Sequence, residues 1–307
     1  MRVADHVQSG LFKLAGFLVR LFPLRRVQKM AASLGRFVYR HIPVRAAVAR
    51  ANLHLCFPEK GDDEIEKILE GSYVNFVTVL FEFLYFPKFT RENLRDFVEY
   101  SDEANRLIQT DLEKGRGLVM IGGHFSNWEL IALTVGALSP KNLLIIVHPF
   151  HNEAVDKVAE AYRAHLGNVT VPMGKSIRAA LSQLMSNGIL ALLADQSASK
   201  ESLTARFFGI DVPTFQGPSS FALRTGAAVQ FGFIIRNDDG TYRVDLQSID
   251  YSDLKDESEE SVRELTQRHV NILEDYIRRY PDKWLWFHKR FKHVPEFQEL
   301  LRKMKER

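Results

Sequence analysis

The stretch Gly117-Leu118-Val119-Met120-Ile121-Gly122-Gly123 runs directly into His124-Phe125-Ser126-Asn127-Trp128-Glu129. A short apolar run closed by paired glycines reads as a buried strand, and the periodic segment Trp128–Leu138 after it reads as a helix. The runs LLIIV, VTV and ILALLA repeat the strand texture, separated by helical patterns near 152–167 and 176–187. Such alternation predicts an α/β fold with a largely parallel, mixed central sheet flanked by helices. Two further runs, AAVQFGFII and YRVDL, are joined across Asn237-Asp238-Asp239-Gly240, a turn that predicts an antiparallel hairpin. A last helix is expected over Glu259–Arg279, ending before Pro281.

Upstream, the chain is helical and basic. Residues 1–50 carry ten Lys and Arg against Asp5 alone, so +9 of charge sits there and −6 on residues 51–307, within a net +3. The cations are interleaved with Leu11, Phe12, Leu14, Phe17, Leu18, Val19, Leu21 and Phe22. That mixture suits a lipid headgroup boundary better than nucleic acid, so no nucleic-acid partner is expected. Lys13, Arg20 and Pro23 leave the apolar run short of the ~20 residues of a spanning helix. No small-residue cleavage site precedes the basic cluster 25–29, which argues against a secretory signal. An amphipathic helix docked on the protein's own core has the same pattern. The expected organisation is a helical, membrane-associating portion over 1–90 packed on an α/β core over 91–307, with no internal repeat or low-complexity linker.

Between these parts, a helix from about residue 63 to 86 begins acidic and ends as VNFVTVLFEFLYF. Its aromatic density fits a core or a wall around an alkyl chain equally well. Glu82 lies inside this apolar run and requires a basic partner. The single cysteine, Cys56, permits no internal disulfide and excludes cysteine ligation of zinc.

Chemistry is expected where the first strand ends. Catalytic groups in open α/β sheets collect at the carboxyl ends of strands, and His124 stands there. With Glu129 in the first turn of the following helix, a carboxylate within reach of the imidazole would fix its tautomer and stabilise its protonated form. The same segment also reads as a capping box in which Ser126 caps the helix and Glu129 caps back. Ser126 as a nucleophile lacks the Gly-x-Ser-x-Gly elbow. Asp195 follows ILALLA, another strand end, and is a candidate to assist His124 or to hold Arg224, or else a solvated turn residue. Arg163, Lys175, Arg178, Arg206 and Arg224 are candidates for a cationic rim, or solvated helix faces. For Trp128, Phe207, Phe208 and Trp286, core packing is the more economical reading.

The motifs together resemble the lysophospholipid acyltransferase-like bacterial enzymes that add the late, secondary acyl chains to lipid A. The resemblance rests on the Gly-His-Phe-x-Asn-Trp-Glu segment at Gly123 to Glu129, and on Arg50, Asn52, Leu53, Cys56, Phe57, Pro58 and Glu59 before it. It continues through Asp195-Gln196, Phe207-Phe208-Gly209, Gly217-Pro218, Ala222 and Arg224-Thr225-Gly226-Ala227 to Trp286, His288, Lys289 and Arg290. It implies acyl transfer from a thioester of acyl carrier protein or coenzyme A to a hydroxyl of a lipid A precursor, at the cytoplasmic face of the inner membrane. His124 and Glu129 take the family's catalytic His-x4-acid positions. Supporting or substrate-binding candidates are Asp195, Asn127, Arg224, Arg206, Asn152 and Arg163, and Phe81, Phe83, Phe207 and Phe208 are candidates for an acyl groove. No metal or other cofactor is implied, and backbone N–H groups near Gly123 or an arginine would meet the developing negative charge. The chain departs from the family where an arginine usually precedes an Asn and an Asp: Asn152 and Asp156 match, but His148 or a neighbour holds the arginine's place. It also departs in its charged N-terminus, where many members span the membrane. Another membrane lipid as acceptor, or lipid binding without catalysis, are the remaining alternatives.

Overall fold

The computed structural model describes residues 3–174, 176–254 and 256–306. Four helices come first: α1 (Val3–Val19), α2 (Leu24–His41), α3 (Ala46–Cys56) and α4 (Asp62–Tyr85). A short α5 (Arg91–Leu94), β1 (Val98–Glu99) and α6 (Asp102–Glu113) lead into alternating elements: β2 (Leu118–Gly122), α7 (Trp128–Leu138), β3 (Leu143–Val147), α8 (Glu153–Arg163), β4 (Val169–Pro172), α9 (Ile177–Met185) and β5 (Ile189–Leu193). A two-stranded ribbon of β6 (Thr204–Phe207) and β7 (Ile210–Pro213) precedes α10 (Gly217–Thr225), the hairpin β8 (Ala228–Arg236) and β9 (Tyr242–Ser248), α11 (Glu259–Arg279) and α12 (Pro295–Glu306).

The main sheet has the order β1-β9-β8-β2-β5-β3-β4, parallel throughout except for the antiparallel β8–β9 pair. The expected mixed, largely parallel sheet and its hairpin are thus present. Strands buried on both faces explain the unbroken apolar runs. On β2, Val119 and Ile121 enter one buried cluster and Leu118 and Met120 the other, and β5 divides the same way. Side-chain oxygens set the helix starts: Ser101 accepts from the Ala104 N–H and Ser258 from the Ser261 N–H.

Helix α4 passes the length and composition test for a membrane span, yet over half of its apolar window is buried in the protein. It packs against α2 at Gly35, where an added Cβ would stand 2.7 Å from the Val74 Cα. The partner Glu82 requires is Arg236, at 3.3 Å, joined by Gln28, Asn127 and Tyr242 at 2.7, 2.7 and 2.6 Å. Four donors from four elements converge on this buried carboxylate, which offsets its desolvation.

The first two helices leave apolar side chains outside. Val7, Leu11, Leu14, Leu18 and Leu21 recur at three- and four-residue spacing, Met30, Leu34 and Phe37 continue the pattern on α2, and all are exposed. The opposite face of α1 is docked: the Arg20 guanidinium donates to the Leu84 carbonyl at 2.8 Å and to the Tyr162 hydroxyl at 3.0 Å. Of the cationic candidates, Lys175 lies outside the described residues.

Candidate active site

Strand register brings the site together. Gly122 on β2 is paired with Leu193 on β5, so two parallel strands end level, and His124 and Asp195 each follow two residues later. Their side chains meet, with His124 Nδ1 2.8 Å from Asp195 Oδ1. Asp195 Oδ2 accepts from the His124 backbone N–H and from the Trp284 indole N–H, both at 2.8 Å. The carboxylate is buried, which by itself would push its pKa up. The adjacent His124, through its charge and hydrogen bond, and the Trp284 indole outweigh burial and hold Asp195 below the ordinary carboxylate range. An ionised carboxylate accepts only, so Nδ1 carries a proton, and in the neutral imidazole Nε2 presents its lone pair.

The loop after His124 is clamped by the segment beyond α11. The Ser126 N–H donates to the Lys283 carbonyl at 2.8 Å and the Leu285 N–H to the His124 carbonyl at 3.0 Å. Asn75 on α4 donates to the Ser126 carbonyl at 3.2 Å. Under these restraints Ser126 adopts φ 49°, a left-handed conformation unusual for a residue with a side chain. It therefore does not cap α7. The cap is Asn127, whose Oδ1 accepts from the Leu130 N–H at 2.9 Å while its Nδ2 reaches Glu82.

Glu129 does not meet the imidazole as the sequence led us to expect. It forms a bidentate pair with Arg163 at the end of α8, at 2.9 Å from Nε and 2.6 Å from Nη2. Burial opposes the charge of Arg163, but the Glu129 hydrogen bonds outweigh it and raise the guanidinium pKa. Arg163 also lies over the rings of Phe83 and Phe150, at 5.6 and 5.7 Å from their centroids, and its Nη1 is buried with no hydrogen-bond partner. Arg163 lines the cleft, while exposed His148 stands on its rim near the position where the family's arginine was expected.

His124, Glu129 and Arg163 share a largely apolar cleft of about 670 Å³ beneath α7 and α4 and over the sheet. Its deeper wall includes Met120, Ala132, Leu143, Ala191 and Gly232. Phe83 lines it, but Phe81 does not, and Phe207 and Phe208 are buried in the core cluster with Trp284 and Trp286. Arg206 and Arg224 are exposed and do not line the cleft. Asn152 caps α8, accepting from the Ala154 and Val155 N–H groups, and donates to the Asp5 carbonyl and Gln8 of α1. Two contributors escaped the sequence reading of chemistry: Trp284, and Gln196, whose amide Nε2 is 3.2 Å from His124 Nε2. The signal for Gln196 was its position one residue past the strand-end aspartate. Among the described residues, no group of three or more His, Cys, Asp or Glu gathers to hold a metal.

The sequence profile of bacterial lipid A biosynthesis acyltransferases matches residues 5–293. The lipid A biosynthesis palmitoleoyltransferase of Escherichia coli K12 is 26% identical over 257 residues, spanning 82% of this chain and 80% of that protein. The lipid A biosynthesis lauroyltransferase of the same organism is 23% identical over 286 residues, 91% of this chain and 90% of its own. A lipid A biosynthesis acyltransferase of Haemophilus influenzae is 26% identical over 272 residues, 85% of this chain and 82% of that protein. The chain belongs to the bacterial lipid A biosynthesis acyltransferase family and is an O-acyltransferase.

Proposed function

We propose that this member of the lipid A acyltransferase family moves a fatty acyl chain from a thioester, carried by acyl carrier protein or coenzyme A, to a hydroxyl of a lipid A precursor. The observation that carries this reading is the His124–Asp195 pair at the wall of an apolar cleft. His124 Nε2 takes the proton of the acceptor hydroxyl as its oxygen attacks the thioester carbonyl, and returns a proton to the departing thiolate. Asp195 holds the Nδ1 tautomer and balances the imidazolium that forms between those steps. Glu129 positions Arg163, whose unpartnered Nη1 is a cationic donor for substrate oxygens in the cleft. The acyl chain lies over the sheet against Met120, Ala132 and Gly232.

The exposed faces of α1 and α2 rest on the cytoplasmic surface of the inner membrane. Their leucines and phenylalanines enter the acyl boundary while Lys13, Arg26, Lys29 and Arg36 meet anionic headgroups. Asn152, two residues past the exposed rim residue Phe150, ties α1 to the cleft mouth. The helical portion 1–90 and the core 91–307 thereby act as a membrane-facing part and a catalytic part.

Purified protein incubated with a lipid A precursor, a mixed lipid extract, and acyl carrier protein or coenzyme A thioesters tests this by mass spectrometry. A precursor gaining one acyl chain, dependent on His124, is the expected outcome. Acylation of a glycerophospholipid or glycolipid alone would replace the acceptor, and binding without any acyl product would refute the enzymatic reading.

A further inference from the structure

Three of the groups expected to meet the developing negative charge are already engaged. The His124 N–H donates to Asp195, the Phe125 N–H to the Gly123 carbonyl, and the Ser126 N–H to the Lys283 carbonyl. Beside the reacting nitrogen stands another donor. In the neutral imidazole a general base requires, Nδ1 carries the proton toward Asp195 and Nε2 offers a lone pair, which the Gln196 amide nitrogen faces as a donor at 3.2 Å.

Gln196 is held from both sides. Asp195 before it is buried under three donors, and the Ser197 N–H after it donates to His288 Nε2 at 3.1 Å. That bond needs a neutral His288, and burial, the largest influence on this imidazole, lowers its pKa to about 4. The backbone carrying Gln196 is thus fixed while its side chain faces the cleft.

We propose that Gln196 is a catalytic residue that occupies the lone pair of His124 at rest and donates to the thioester carbonyl oxygen during transfer. The inference rests on the acyl-transfer reading above. An acceptor hydroxyl must come within about 2.6–3.2 Å of Nε2 to lose its proton, which displaces the amide from that nitrogen. The hydroxyl oxygen then forms a bond to the carbonyl carbon, its proton passes to Nε2, and the carbonyl π pair moves onto oxygen. The freed Gln196 N–H donates to that oxygen. When the pair returns, the C–S bond breaks, and the thiolate takes the proton from Nε2. Donor, base and orienting carboxylate thereby come from one strand-end crevice, preorganised before substrate enters.

The test uses the full chain with Gln196→Ala and the nearly isosteric Gln196→Glu, which exchanges a donor for an acceptor. Loss of one such donor lowers kcat by about 10²–10³-fold, and both variants are expected to do so with KM for donor and acceptor little changed and melting temperature unaltered. Independently of any substrate, the ¹⁵N resonance of His124 Nε2 is expected to move in Gln196→Ala, because its hydrogen-bonded lone pair becomes free. Wild-type kcat in both variants, an unmoved resonance, or a rate loss that only tracks a lowered melting temperature would each overturn the proposal. If the wild-type protein acylates no lipid A precursor but hydrolyses the thioester, and Gln196→Ala slows that hydrolysis, the acceptor assignment fails while the role of Gln196 stands.

Discussion

The N-terminal helices and the strand-end crevice place side chains against the usual partition in opposite senses. On α1 and α2 apolar groups face outward, Leu11 61% and Phe37 51% exposed. In the crevice Asp195, Asn127 and Ser126 face inward. The two inversions are resolved differently. Every oxygen of Asp195 has a donor from within the chain, as a buried charge requires. Leu11, Leu14, Phe17 and Leu18 of α1 find no such cover among the described residues, and each incurs only the modest cost of wetted apolar area. The crevice meets its buried carboxylate from within the chain, whereas the helical surface is completed by what it touches.

The sharpest way to break this comparison is to damage the crevice and watch the surface. His124→Ala or Asp195→Asn is expected to lower acyl transfer by about 10²–10⁴-fold, the usual effect of losing a general base or its support, with vesicle binding unchanged. Loss of binding along with activity would mean that the two regions are not separable. A related test separates the carboxylates inside the crevice. Glu129→Gln leaves the mostly buried Arg163 without its counter-charge, and breaking a buried pair typically costs about 3–5 kcal/mol, so calorimetry should show a large fall in melting temperature. A variant that melts normally but has lost activity would move Glu129 from bracing the cleft into the chemistry.

The converse experiment damages the surface. Leu14→Glu with Phe17→Glu is expected to abolish sedimentation with anionic vesicles while altering stability by no more than about 0.5 kcal/mol each, as exposed substitutions do. Salt should weaken the intact protein's binding as well, since exposed cations are screened. Unchanged sedimentation would return α1 to ordinary packing. A smaller effect is expected at Gly232, where an added Cβ would stand 3.1 Å from Ile131 Cδ1 and 3.3 Å from Leu246 Cδ2, both ends of side chains that can shift. Gly232→Leu intrudes further into the cleft and should move the preferred donor toward shorter chains. Each methylene no longer accommodated costs about 0.8 kcal/mol, roughly fourfold in selectivity, read as rates across saturated donors. The last test is acid. Burial holds His269 at about 3, far below its ordinary value, so it stays neutral in the fold. As pH falls below the unfolded value near 6.5, only the unfolded chain gains this proton, and stability declines until pH approaches 3, by up to about 1.4 kcal/mol per pH unit. Stability of the His269→Gln variant should depend less steeply on pH in that window.

Much of the architecture was legible because its strands are short, continuous apolar runs between helical periodicities, and the hairpin announced itself at Asn237 to Gly240. The histidine was legible too, from its place after paired glycines. Its partner was read only in part: spacing along one helix put Glu129 first and left Asp195 as a supporting candidate, while the decisive relation was register between strands whose ends lie 71 residues apart. Asp195 was a candidate from its own strand end, and the pairing of Gly122 with Leu193 is what brings it against His124 rather than Arg224. The capping box failed for a similar reason: Ser126 has the right chemistry, but long-range bonds to Lys283 and Asn75 force it into a left-handed turn and pass the cap to Asn127. The phenylalanines divided according to which face of their element met the cleft, and aromatic content alone could not distinguish those faces.

Glu82 imposes a timetable on the nascent chain. Its donors lie 45, 54, 154 and 160 residues away, and the last of them, Tyr242, leaves the ribosome long after α4. At about 5–20 residues per second that interval is about 8–32 s, during which docking α4 would bury a carboxylate missing two of its donors. Early docking of α4 is disfavoured to that extent, and Asn127, which shares the carboxylate, is exposed to the same deficit. A chain interrupted before residue 242 can make its early strands and helices, but it leaves the cap beside His124 tied to an incompletely satisfied anchor.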